Sequence, residues 1–410
     1  MNEKIMAFES EGTLPFDFPT ESRKIIKVIG VGGGGGNAVR NMYHEGIRDV
    51  VFVVANTDQQ ALADSEIPIK LQLGRETTKG LGAGNDPEVA RQAAEESIED
   101  IRAQFKDDTQ MVFITAGMGG GTGTGAAPVI ARVAREMGML TVGIVTIPFK
   151  FEMRRKIKQA LRGVRELSQY VDALLVISNE KLLELCPGTS VSDGFKRADQ
   201  TLTTATKSIA ELITCRGIIN LDFRDVRKIL TDGGVAIMSE GAASGENRVA
   251  LAFEAALHSP LLYNNDIHKS GKILFNIYQT NDASQHLQLD EINEIRHFMD
   301  KFVDKNIEVI WGLAIDDNLK EGIRIAVLAT GFGVDSIPMI DDDDEAGAQS
   351  IIDRIYDENS TSSKLLCLYE LDDSDLDNAV LIDAIASRPA FSRTTQDIND
   401  FKTMRKSAAN

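Results

Sequence analysis

The stretch that decides the fold is Gly117-Met118-Gly119-Gly120-Gly121-Thr122-Gly123-Thr124-Gly125. It follows an apolar run at 111–115 that reads as a strand and precedes a helical pattern to about residue 137. A second stretch of the same kind, Gly30-Val31-Gly32-Gly33-Gly34-Gly35-Gly36-Asn37, stands between the apolar run 25–29 and a helix through about residue 43. A glycine loop that opens a helix brings bare backbone N–H groups, and the positive end of the helix dipole, against an anion. Two such loops facing one cleft can hold a polyphosphate from both sides, which points to a nucleotide.

Around these loops strand and helix patterns alternate. Strands are expected at 50–55, 140–147 and 173–177, and helices at 87–101 and 152–170. Pro87 suits a first helical turn. Such alternation predicts an α/β fold with a parallel sheet covered by helices on both faces, whose ligands bind at the carboxyl ends of the strands. Residues 192–213 read as one long helix, with Phe195, Ala198, Leu202, Ala205, Ile209 and Leu212 on or near one face. A loop at 215–222 leads to a smaller α/β region with strands at 235–238, 273–278, 308–315 and 323–329 and helices at 246–257 and 289–303. The expected divisions are a flexible arm at 1–23, a nucleotide domain at 24–191, a core helix at 192–215 with a second domain at 216–332, an acidic linker at 333–387 and a tail at 388–410.

Composition narrows the functional classes. The chain has 410 residues, enough for two cores, and a net charge of −18 that argues against a nucleic-acid partner. Three cysteines without metal-ligand spacing read as reduced thiols, and the five histidines show no ligand spacing either. The acidic start has no signal-peptide pattern, and no apolar run approaches the roughly 18 residues of a membrane span, so a cytoplasmic protein without direct membrane insertion is expected.

Gly30, Gly32 and Gly35 also satisfy G-x-G-x-x-G, so a nicotinamide-dependent oxidoreductase is one alternative. That reading leaves the second loop unexplained, and the second strand ends in Asn56-Thr57-Asp58 rather than in a lone acidic residue. The absence of G-x-x-x-x-G-K-[ST] excludes a P-loop.

The Gly-Gly-Gly-Thr-Gly-Thr-Gly run at 119–125 is the signature of the tubulin/FtsZ superfamily, and the chain resembles the FtsZ-type bacterial cell-division GTPases over about residues 24–332. The resemblance implies a tubulin-like fold: a Rossmann-like GTP-binding domain, a long core helix and a smaller C-terminal domain. It also implies GTP hydrolysis, with Mg²⁺ held mainly by the phosphates, by subunits stacked head to tail in a mid-cell ring. Gly33, Gly34, Gly35, Gly36 and Asn37, with Gly119, Gly120, Gly121, Thr122, Gly123, Thr124 and Gly125, would wrap the phosphates. Asn56, Thr57 and Asp58 would line the phosphate and metal region, and Glu152 would meet the ribose. Asn179 and Asp199 would read guanine, whose N1–H and 2-amino group suit a carboxylate as adenine does not. Phe195 would cover the base, although its spacing fits a core aromatic equally well. Lys156 stands where the family usually has arginine; it keeps the charge and loses the bidentate fork.

Asn220-Leu221-Asp222-Phe223-Arg224-Asp225 matches the family's synergy loop. In the family this loop enters the next subunit's pocket, where Asp222 and Asp225 would polarise the attacking water and Asn220 would place it. Taken alone, the same residues read as an N-cap and a solvated helix residue. A nucleotide-binding scaffold that polymerises but barely hydrolyses is a third reading. Arg388-Pro389-Ala390-Phe391-Ser392-Arg393 resembles the motif that docks on membrane adaptors, with a disordered basic tail as the alternative.

Overall fold

The computed structural model describes residues 24–332 except 48, 182–190, 215–216, 220, 258–266, 304–306 and 317–318, together with residues 382 and 384. The arm, almost all of the linker, the tail, Asn220 and the three cysteines lie outside the described residues.

Six parallel strands form the first half of the sheet: β1 (Ile26–Val31), β2 (Val50–Asn56), β3 (Ile69–Gln72), β4 (Met111–Gly117), β5 (Leu140–Ile147) and β6 (Ala173–Ser178). Their order is β3-β2-β1-β4-β5-β6. β1 and β5 are buried along their whole length, as parallel strands covered on both faces must be. Alternate residues feed two cores. Ile29, Val53 and Ile114 face α4 (Pro87–Glu96), α6 (Thr122–Glu136) and α7 (Arg154–Ser168), whereas Val28, Val54 and Phe113 face α1 (Gly32–His44) and α8 (Val191–Thr214). Between these run α2 (Gln59–Ala63), α3 (Arg75–Thr78) and α5 (Ile98–Ala103).

The sheet does not stop at β6. Two register pairs, Ala173 with Gly234 and Leu174 with Val235, join it to β8 (Gly234–Ala243). The second half continues through β11 (Ile323–Phe332), β9 (Lys272–Gln279), β10 (Glu308–Ile315) and β7 (Gly217–Ile219), giving eleven strands. α9 (Phe223–Leu230), α10 (Arg248–Leu257) and α11 (Ile292–Val303) complete this half. Arg324 of β11 ties it to the long helix. Its guanidinium reaches Glu211 of α8 at 3.1 Å, Glu240 at 3.1 Å and Asp316 at 2.8 Å, and lies 4.1 Å over the Tyr278 ring.

Three departures from the sequence reading have local causes. The helix expected at 87–101 divides at Ser97, whose backbone leaves helical geometry (φ −98°, ψ 16°) and whose hydroxyl accepts the Gly74 N–H at 2.9 Å. The helix expected from residue 152 starts at Arg154, because Met153 adopts φ 77°, ψ 149°, a conformation almost confined to glycine. The loop at 215–222 contains β7, which pairs antiparallel with β10 and is too short to show a strand period.

Candidate nucleotide and catalytic site

β1 and β4 are neighbours in register, Ile26 with Met111 through Val31 with Ala116, so both glycine loops leave the sheet side by side. The chain turns from β1 toward β2 on one side and resumes at β4 on the other, which makes this the topological switch point where a crevice opens. α1 begins directly after β1 with Val31 as N-cap, and α6 begins after Gly121; neither start has a side-chain cap. The first-turn N–H groups of both helices therefore lack intrahelical partners and point out of the carboxyl edge. By contrast Asp58, Asp86 and Asp222 cap α2, α4 and α9 with their carboxylates.

The glycines of the two loops divide by what surrounds them. A Cβ on Gly35 would lie 2.3 Å from the Thr115 carbonyl oxygen, and one on Gly125 only 1.9 Å from that of Pro87. These two glycines let backbones cross closely. A Cβ on Gly33, Gly36 or Gly120 would meet nothing within 4 Å, so these three face open space. Gly34 and Gly123 pack toward Gly117, Gly121 lies against the turn before α4, and Gly119, at φ +100°, abuts Pro148. Thr122 and Thr57 share a hydrogen bond at 2.7 Å, which draws the end of β2 to the second loop. The Thr124 hydroxyl accepts the Gly119 N–H at 2.9 Å and braces the loop from within. Beside the first loop, a cavity of about 220 Å³ is lined by Gly33, Gly36, Asn37, Arg40 and Asn56.

The other expected contacts come from the carboxyl ends of β5 and β6 and from the start of α8. Glu152 accepts the Phe149 N–H at 3.0 Å through one oxygen and pairs with Lys156 at 2.9 Å through the other. Asn179 follows β6 and is 6 % exposed, and its side-chain oxygen is buried without a partner among the described residues. Burial raises the Asp199 carboxyl to about 6, against the opposing pull of the Arg40 charge. A desolvated carboxylate and a buried, unpaired amide oxygen are each acceptors suited to N–H donors. Phe195 is 41 % exposed and meets Phe149 edge-on at 5.0 Å, so it stands at the rim rather than in the core. Arg40 is the residue that sequence reasoning missed. Its signal was its place one turn after Asn37, whose side-chain oxygen it reaches at 3.2 Å.

Asp222 and Asp225 lie elsewhere. One oxygen of Asp222 accepts from Arg224 N–H at 2.7 Å and Asp225 N–H at 3.0 Å, and Asp225 accepts the Asp222 N–H at 3.0 Å. The N-cap reading is thus correct, and it leaves one oxygen of each carboxylate outside the reciprocal box. α9 is anchored at the opposite edge of the sheet, where Arg227 donates to the Gly138 carbonyl, at 3.4 Å, just before β5 starts. An eight-residue strand such as β5 spans about 26 Å. The five steps from Asp222 to Arg227 cover only about 8 Å of helix, too little to bring the carboxylates round to the glycine loops.

Two uncapped, glycine-rich helix starts side by side at the switch point, and a long helix leading to a second half-sheet, make up a nucleotide-binding protein class of tubulin-like architecture. Residues 25–187 match the family described as "Tubulin/FtsZ family, GTPase domain", and 234–333 match "FtsZ family, C-terminal domain". The cell division protein FtsZ of Porphyromonas gingivalis is 49 % identical over 393 residues, covering 90 % of this chain and 85 % of that protein. That of Coxiella burnetii is 47 % identical over 309 residues, 75 % of this chain and 79 % of its own. An empty FtsZ dimer from M. jannaschii superposes with a TM-score of 0.69 at 40 % identity, over 76 % of this chain and 89 % of that one. The chain belongs to the FtsZ family.

Proposed function

We propose that this polymerising cell-division GTPase completes its active site only where two subunits stack head to tail. One observation carries this reading: the nucleotide crevice is at the carboxyl edge of the sheet and the Asp222–Asp225 pair at the amino edge. In a head-to-tail stack those two edges meet.

GTP binds with its phosphates against the uncapped starts of α1 and α6, its ribose at Glu152 and its base between Phe195 and the acceptors Asn179 and Asp199. Lys156, released from Glu152, supplies a point charge on the phosphate side. Asn56, Thr57 and Thr122, oxygen donors beside the loops, suit a hard cation such as Mg²⁺, which would be held mainly by the phosphates and would supply charge neutralisation there. The free oxygens of Asp222 and Asp225 from the next subunit orient and polarise the attacking water, with Asn220 positioning it. The base pocket and the paired glycine loops support this over the oxidoreductase alternative. The polymer forms the division ring at mid-cell, and residues 388–393 dock on a membrane adaptor.

Phosphate release from GTP against protein concentration, with ATP as control, tests the reading. Specific activity near zero when dilute and rising above a threshold is the expected result. Activity per molecule that is constant at every dilution would mean a self-contained site and would overturn it.

A further inference from the structure

α7 presents one face to the second glycine loop. Lys156, Gln159, Ala160 and Gly163 recur at helical spacing, and a Cβ on Gly119 would come within 3.1 Å of the Lys156 carbonyl and 3.6 Å of the Ala160 methyl. Gly163 lies so close to Thr124 that a Cβ there would be 2.4 Å from its methyl. Gln159 is the polar member of this face that touches the loop backbone with its side chain. Its amide nitrogen donates to the carbonyl of Gly120 at 3.0 Å and of Gly119 at 3.1 Å, and reaches that of Asn85 at 3.4 Å. Three carbonyl oxygens around one amide allow only the NH₂ end to face them, which fixes the side chain's orientation.

We infer that Gln159 is a positioning residue for phosphate binding: by holding the carbonyls of Gly119 and Gly120 against α7, it aims the N–H groups of Gly120 and Gly121 into the crevice. In a trans peptide the C=O of one residue and the N–H of the next point in opposite directions. A carbonyl pinned toward α7 therefore turns the following N–H away from it, and Gly120 has open space within 4 Å on its Cβ side. Without the pin, a run of three glycines rotates freely and its peptide groups flip with little steric cost. A flipped carbonyl would confront a phosphate with an oxygen. Asn85 brings the turn before α4 into the same clamp, so the loop is held from both flanks.

This inference rests on the phosphate-binding reading of the loop, and the test separates the two. Binding of GTP, GDP and guanosine is measured by calorimetry on the full chain, below the assembly threshold, for wild type, Gln159→Leu and Gln159→Lys. Wild-type binding of GTP establishes the underlying reading; its absence would remove that reading first. Gln159→Leu should then bind GTP and GDP about tenfold more weakly, the effect of one or two lost hydrogen bonds. Guanosine, which lacks phosphates, should bind it as it binds wild type. Gln159→Lys restores donors on a long side chain and should recover most of the affinity. Equal GTP binding by wild type and Gln159→Leu overturns the inference, as does a parallel loss for guanosine together with a lowered unfolding temperature. Failure of the lysine variant to recover any affinity also counts against it.

Discussion

At the carboxyl edge, α1 and α6 begin with glycine or valine and no side chain on their N–H groups; at the amino edge, α9 begins with two carboxylates locked into a reciprocal cap. The first arrangement leaves donors unsatisfied, a state that costs free energy until an anion arrives. The second spends one oxygen of each aspartate on its own helix and so fixes where the remaining oxygens project. Under the proposed function, the donor half would be completed by the nucleotide's phosphates, whereas the carboxylate half is already arranged by its own cap.

The largest expected effect breaks the carboxylate half. Asp225→Ala should lower assembled GTP turnover by about 100-fold or more, the scale of lost water activation, while leaving GTP binding by dilute subunits unchanged. Weakened binding in dilute subunits would place Asp225 in its own chain's pocket and undo the division of labour. The donor half breaks in two distinguishable ways. Gly125→Ala should cost about 2–3 kcal/mol in denaturant unfolding, because its Cβ has nowhere to go beside Pro87. Gly36→Ala should raise stability by about 0.5–1 kcal/mol through helix propensity, yet weaken GTP binding by obstructing the crevice. Opposite signs of stability change within one pair of loops would sharpen the distinction between packing and facing glycines.

Smaller effects test the base pocket. Asp199, raised to about 6 by burial, must be ionised to accept from guanine. GTP affinity should fall as the pH drops through about 6, approaching tenfold per unit below it, and Asp199→Asn should flatten that profile. Arg40→Ala should move the midpoint upward by removing the charge that favours ionisation. The same shift adds a penalty to the unliganded fold that is absent below about 4, where Asp199 is protonated in both states, grows as pH rises toward 6 and is level beyond. A change of backbone strain alone is Met153→Gly. It should stabilise the protein by about 1 kcal/mol in thermal unfolding, the backbone strain relieved outweighing the freedom glycine gains in the unfolded chain.

The sequence reading located the parallel sheet because fully buried strands are apolar runs and glycine loops punctuate them. Strand β5 and strand β10 fall on the residues expected. What it missed lacks periodicity: β3 has four residues, and β7 three. Lys27, buried in β1 and paired with Asp107 at 2.7 Å, interrupts an apolar run in a way that only tertiary structure rationalises. Among the site residues, the loops announce themselves through composition and Arg40 through its spacing from Asn37, whereas Gln159 acts through contacts between elements that no local pattern encodes. Phe195 shows the limit plainly, since helical spacing cannot tell a rim from a core.

The two register pairs between β6 and β8 are all that join the two half-sheets strand to strand; β5 and β6 share six and β8 and β11 many more. In a filament that carries tension, load enters each subunit at one end of the chain's architecture and leaves at the other. A seam two rungs wide then lies in the path of the force. Pulling the halves apart would load that seam together with the long helix and the Arg324 clamp that bridge it.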